Sequence, residues 1–398
     1  MSSEFPLFRL PLIVLNHGLK LMTPFEILSL SLCSKRCKTV CQSLRNQLKC
    51  KEKAVKFQLK FSKKREIRME FNYYPNTRWI FELEQFMAIK GNRETIISIF
   101  QRKTSDRHEL SETTYGVHIP NWIPTERSLE DIRDHIAGEE KLMKFYVPME
   151  DGCFGFRTFI NHLSYIFNIT LTDLELHCQD FTRDENKKII YSYCGNKRDT
   201  NCVKSLKLVG ESENTLEDDE VLYHILSRQE AKCKLTLDIL SSKFRFKENQ
   251  LRFIPNQLVI RNSKWLTSVD IEHFNSFSVL IFQYHHLIWW WHVQCLIERW
   301  YFGWTPNWTV MMIEFRFINI DDIINKLRGR IPDSDLLRSE ETIEGPNGLS
   351  HRIKYSINRG HGTIGEFLVE NNKYLYIKMR ENTEFSLSTF ISMTKEMM

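Results

Sequence analysis

Six short segments in the middle of the chain constrain its fold more than any other feature. They are Leu174-Glu-Leu176, Leu206-Lys-Leu208, Leu235-Thr-Leu237, Leu258-Val-Ile260, Val279-Leu-Ile281 and Met312-Ile-Glu-Phe315, with starts 21 to 33 residues apart. Each places apolar residues at alternating positions, which is how a short strand reads. The intervals leave room for a loop and a helical or irregular return before the next strand. A unit of this kind cannot bury its own apolar face, so neighbouring units must stack, strand beside parallel strand, over a shared core.

Several of the returns carry helix punctuation. Six acids within residues 211–220 precede Val221, Leu222, Ile225 and Leu226, the charge bias expected at a helix amino terminus. Over 289–302, Trp289, Val293, Leu296, Ile297 and Trp300 share a helical face that Gly303 can end. Asp321, Ile323, Ile324 and Leu327 give another helix, ending near Gly329. The whole resembles an irregular leucine-rich-repeat-like α/β solenoid. Short β segments are expected at both ends: Val55–Phe61, Glu66–Phe71 and Trp79–Leu83 around a turn at Pro75-Asn76, and a hairpin over 351–380. Residues 101–155, with scattered charges, Gly and Pro and weak periodicity, read as a long loop or insert.

Composition narrows the class. The chain has 398 residues, 42% hydrophobic and 26% charged, enough to bury one large core or several smaller ones. Its ten cysteines form no CxxC pair and follow no signal-peptide pattern, so they read as reduced thiols of a cytoplasmic or nuclear protein. The longest apolar stretch, 278–297, holds His285, His286, His292, Gln283 and Gln294, which argues against a membrane span. The net charge of +5 is uneven: residues 45–68 hold ten Lys/Arg against Glu52 and Glu66, with apolar residues alternating among them as in a half-buried strand. Catalytic signatures are weak. Gly360-His-Gly362-Thr-Ile-Gly365 fits G-x-G-x-x-G, but a strand-like run follows it where a dinucleotide site needs a helix, so a turn is expected. Neither the histidines at 285, 286 and 292 nor Cys33, Cys37 and Cys41 have a partner at metal spacing. The expectation is a non-enzyme without cofactor or metal.

At the amino terminus, Leu12, Leu15 and Leu19 behind Pro11 predict one helix, and Thr23-Pro24-Phe25-Glu26 is a capping box that opens a second. Ser34 caps a third, whose face carries Cys37, Val40, Cys41, Leu44 and Leu48. The pattern L-P-L…L-x-x-L-x-P-x-E-I-L-x-L-S-L-x-S-K-R resembles the F-box, a three-helix module that docks onto the Skp-family adaptor of cullin-based ubiquitin ligases. The resemblance implies adaptor contacts through Pro6, Leu7, Leu10, Pro11, Leu15, Ile27, Leu28, Leu30 and Leu32. Cys37 stands where the common pattern has Trp.

A second resemblance covers L-V-I-R-N-S-K-W-L-T (258–267), V-L-I-F (279–282), C-L-I-E-R-W-Y-F-G (295–303) and the strand to Phe315. These are similar to the type-2 F-box-associated domain found downstream of F-boxes in a lineage-expanded family, and Ser356 to Ile364 resembles its closing β segment. Fold class α+β or α/β follows, with an F-box at 4–50, a β-rich connector at 51–100, a loop-rich insert at 101–169, the repeat-like domain at 170–330 and a β segment at 331–398. The implied function is substrate recognition in a Skp-cullin-F-box ubiquitin ligase, with partners a Skp-family adaptor, through it a cullin, and a target protein. Six of nine tryptophans fall between 289 and 308, and Trp290 and Trp291, off the main helical face, are the candidate target-binding residues. Two alternatives stand beside this: RNA binding through the basic 45–68 segment, and an F-box protein that has lost the ligase.

Overall fold

The computed structural model describes residues 10–47, 54–72, 74–86, 110–112, 118–120, 127–129, 138–148, 152–194, 203–213, 215–241, 244–246, 251–284, 289–345, 348–360, 363–379 and 386–395. The chain is mixed α/β and divides into two compact units. The first comprises Met1–Leu174 with Arg198–Asn201, the second Glu175–Lys197 with Cys202–Met398.

The first unit opens with helices α1 (Leu12–Leu21), α2 (Pro24–Cys33) and α3 (Lys35–Gln47). The capping box is present: Thr23 Oγ1 accepts from the Glu26 amide at 3.3 Å, and the Glu26 carboxylate accepts from the Thr23 amide at 2.7 Å. Two amides that the helix cannot pair are thereby satisfied, and Pro24 has none to leave open. An antiparallel meander follows, β1 (Ala54–Phe61), β2 (Arg65–Phe71) and β3 (Tyr74–Phe86). Because side chains alternate across a strand, the register Leu59↔Ile67↔Phe81 and Phe57↔Met69↔Trp79 gathers six buried residues on one face. Phe25 of α2 meets that face edge-on, its ring 4.7 Å from Trp79 and 5.2 Å from Phe81. Since β3 begins at Tyr74, the turn falls ahead of Pro75-Asn76.

The expectation of a loop over 101–155 and of a loop-rich insert over 101–169 needs correction among the described residues. Strands β4 (Leu110–Glu112), β5 (His118–Pro120), β6 (Arg127–Leu129) and β7 (Gly138–Pro148) lie there, β7 parallel to β3. Helix α4 (Gly152–Phe167) follows and buries Phe159, Ile160, Leu163, Ile166 and Phe167. That spacing is helical, but Gly152 and Gly155 in its first turn weaken the sequence signal.

In the second unit all six alternating segments are strands: β8 (Asp173–His177), which spans the boundary, then β9 (Ser205–Gly210), β10 (Lys234–Ile239), β11 (Gln257–Ile260), β12 (Ser278–Tyr284) and β13 (Val310–Phe315). From β9 to β13 each strand pairs in parallel with the next in chain order. The register stacks two buried rows, Leu206, Leu235, Leu258, Val279, Met311 and Leu208, Leu237, Ile260, Ile281, Ile313. Parallel neighbours require crossovers. These include α5 (Arg183–Tyr193), α6 (Leu216–Leu226), α7 (Ser268–Glu272) and α8 (Trp289–Tyr301); α9 (Ile320–Leu327) follows β13. Capping boxes pair Thr182 with Glu185, Thr215 with Asp218 and Thr267 with Asp270.

Beyond β13 the sheet turns antiparallel. Strands β14 (Leu336–Gly345), β15 (Gly348–Asn358), β16 (Ile364–Glu370) and β17 (Tyr374–Lys378) form a meander, and β17 pairs with β13. The last helix, α10 (Leu387–Lys395), packs Leu387, Phe390 and Ile391 against Val259, Leu280, Met312, Leu368 and Tyr376. This second layer explains why β12 and β13 are apolar nearly throughout, whereas Lys207 on β9 and Asp238 on β10 stay partly exposed. Two of the three glycines in the pattern serve the backbone, and a strand follows them: Gly360 sits at φ +86°, and a Cβ at Gly365 would come within 2.7 Å of the Trp300 ring; His361 and Gly362 lie outside the described residues.

Candidate functional site

Two surfaces answer to the residues singled out above. In the first unit, α1 turns Leu15 and Leu19 inward and leaves a stripe outward: Ile13 is 83% exposed, Val14 49% and Leu21 77%. Pro11 is also exposed and Leu10 partly so. Ile27, Leu28 and Leu32 are buried and hold the helices together, reaching a partner only through the shape they maintain, while Leu30 is half-buried. Pro6 and Leu7 lie outside the described residues. Ile13, Val14 and Leu21 are contact candidates beyond the residues named from the resemblance. Their signal was the i, i+4, i+8 row Ile13, His17, Leu21 opposite Leu15 and Leu19.

The helices are locked by a polar link. Ser31 donates to the Leu28 carbonyl at 2.7 Å, leaving its oxygen to accept from His162 Nε2 of α4 at 2.8 Å. That arrangement needs a proton on Nε2. Burial, and then the Lys38 charge, push the His162 pKa down to about 4. Cys37 is buried beside Ser34, filling the third-helix position with a small side chain.

In the second unit the first turn of α8 carries the tryptophans. Trp290 is 37% exposed and Trp291 46%. The Lys326 ammonium of α9 sits 3.9 Å from the Trp290 ring centroid, a cation–π contact that fixes the indole. The Trp291 ring stands edge-on to His292, and His292 is buried with Nδ1 2.8 Å from the Tyr284 hydroxyl. Burial, with Asp270 nearby, raises the Tyr284 pKa well above its ordinary value, so the hydroxyl stays protonated. Two half-exposed indoles on an anchored helix start can grip an apolar side chain with little ordering cost. Trp300 and Trp308 are wholly buried and Trp265 nearly so; they are core. Trp300 donates to the Met379 carbonyl at 3.1 Å, and Arg359 caps the end of α8 by donating to the Trp300 and Trp304 carbonyls.

The basic segment is partly neutralised. On β1 and its neighbours Lys56 faces Glu70 at 3.5 Å, Arg68 holds Glu66 at 2.7 Å and Lys64 reaches Glu82 at 3.1 Å. Residues 48–53 lie outside the described residues. Among the described residues no group of three His, Cys, Asp or Glu is placed to hold a metal ion, and no helix is long and apolar enough to cross a membrane. The apolar stretch 278–297 instead divides between β12 and α8. His285 and His286 lie outside the described residues.

Compared with known protein families, with curated proteins and with solved structures, the chain finds no match.

Proposed function

We propose that the chain is a non-catalytic substrate-recognition adaptor: its amino-terminal helices act as an F-box on a Skp-family adaptor and through it a cullin, while the second unit presents a target protein for ubiquitination. The observation that carries this reading is the outward apolar stripe of α1. A row of Ile13, Val14 and Leu21 left in water next to α2, whose amino terminus is capped and whose apolar face is buried, is a surface suited to being covered. The parallel strands in chain order, each with its own return, support a leucine-rich-repeat-like solenoid of the F-box-associated kind. Such a scaffold suits target binding because successive units line up loops along one edge. Trp290 and Trp291 are the target-contacting residues in this reading, and the chain's role is proximity, raising the target's effective concentration near the conjugating enzyme.

The test uses the full chain and a purified Skp-family adaptor. Capture of the adaptor by the wild type, lost in Ile13→Asp/Val14→Asp with thermal stability unchanged, supports the proposal. A folded wild type that captures nothing overturns it and leaves the alternative of a lost ligase partner.

A further inference from the structure

In the second unit a cleft of about 460 Å³ opens between α5 and α6. Its charged lining comes from three separate stretches of chain: Lys187 and Lys188 on α5, Arg228 just past α6, and Arg252 ahead of β11. Ile190 and the ring of Tyr191 form an apolar wall, and Tyr191 is 67% exposed. His224 of α6 completes the lining.

Carboxylates offset part of this charge. Asp184 lies 3.3 Å from Lys187, Glu230 3.4 Å from Arg252, and Glu220 3.2 Å from Arg183 at the start of α5. Lys188 and Arg228 have no carboxylate within 4 Å among the described residues, so two cations face the cleft uncompensated. The histidine registers the local potential: partial burial first, then Arg228, Lys187 and Arg183, lower its pKa. Lys187, Lys188, Arg228 and Arg252 thus converge on one concavity beside an exposed aromatic ring, where charges of one sign focus the potential.

We propose that this cleft binds a nucleotide, its phosphates held by Lys188 and Arg228 and its base laid against Tyr191. A bare phosphate would need the cations alone. The apolar wall and the volume of the cleft, which suits one ring system with its sugar, argue for a flat group beside the anion. Arginine offers a planar fork for phosphate oxygens, and base–aromatic stacking tolerates any base. The same chemistry is offered by a free nucleotide and by a residue of a single-stranded RNA, and this inference stands independently of the adaptor reading.

Isothermal titration of the full chain with ADP, pyrophosphate, a short single-stranded oligoadenylate and a phosphothreonine peptide tests it, with the His224 resonances followed by NMR. ADP is expected to bind more tightly than pyrophosphate and to raise the His224 pKa, since a bound anion counters Arg183, Lys187, Lys188, Arg228 and Arg252 more than Glu220 does. Arg228→Glu and Lys188→Glu, both on the exposed rim, should each weaken ADP about tenfold or more. Tyr191→Ala should bring ADP down to the pyrophosphate level. Oligoadenylate binding far tighter than ADP identifies a strand as the source, and equal binding identifies the free nucleotide. Three results overturn the proposal: no binding of either nucleotide form at millimolar concentration, binding untouched by Arg228→Glu, or a phosphothreonine peptide preferred to ADP.

Discussion

The two units solve the same problem, a polar contact inside a core, in opposite ways. In the first, the contact that ties α2 to α4 is neutral: Ser31 accepts from His162 Nε2–H, and burial, with the Lys38 charge, keeps the imidazole uncharged. In the second, the contact that ties α10 to the sheet is ionic. Buried Glu370 accepts from Ser350 at 2.7 Å, Arg352 at 3.0 Å and Lys395 at 2.9 Å. Burial alone would raise the Glu370 pKa, but Ser350, Lys395 and Arg352 hold it below the ordinary value. A neutral link costs little to desolvate, but protonation puts an uncompensated charge in its buried site, whereas an ionic link is expensive to desolvate and fails once one partner is removed. The two units should therefore respond differently to the same insult.

The largest expected effect is on packing in the second unit. Trp300→Ala removes the ring that lies against Gly365 and Phe367 and should cost about 3–5 kcal/mol. Hydrogen exchange should accelerate across β13, β16 and β17 while β1 to β3 keep their protection; equal acceleration everywhere would show one cooperative block and break the comparison. Glu370→Gln leaves Arg352 and Lys395 facing a neutral group and should cost about 3 kcal/mol by denaturant unfolding. Adding Lys395→Met should recover part of that loss.

Acid should separate the units next. The unfolded chain protonates His162 below its ordinary value near 6.5, but the folded unit resists to about 4, so between those pH values the unfolded state binds more protons. Stability of the first unit then falls as pH drops through that window, by roughly 3 kcal/mol in all. Glu370 has the opposite chemistry and a lower window. Its contribution is intact above the ordinary carboxylate pKa and is lost only as pH falls below it. Exchange protection measured at pH 5 should thus be reduced in α2 and α4 before α10. The smallest effects belong to caps: Thr23→Ala and Thr182→Ala should each cost about 1 kcal/mol, one in each unit, read from thermal melting.

Legibility in the sequence followed the range of the interactions. Strands β8 to β13, the Thr23–Glu26 box and α8 with its Gly303 stop are set by neighbours a few residues apart, so the pattern shows them. Helix α4 was obscured by glycines at its start. The pairing of β17 with β13 cannot be read at all, because nothing local to Tyr374–Lys378 names its partner. The same limit governed the surfaces. Periodicity marks both faces of α1 and α2 as apolar, and only packing shows that Leu28 and Leu32 face inward while Ile13 and Leu21 do not. Lys188, Arg228 and Arg252 come from distant stretches that share no motif, so their cleft exists only in the fold.

The order of the strands has a consequence for how the protein is made. As the chain leaves the ribosome, each strand from β9 to β13 can add to an edge already waiting, so this half can assemble nearly as fast as it is synthesised. The far edge of β13 has no such luck. It stays open until Tyr374–Lys378 arrive, after the whole β14 to β16 meander has emerged. A message truncated anywhere between Phe315 and Tyr374 would release a protein with an apolar, unpaired strand at its border, the kind of template on which nascent chains stick to one another.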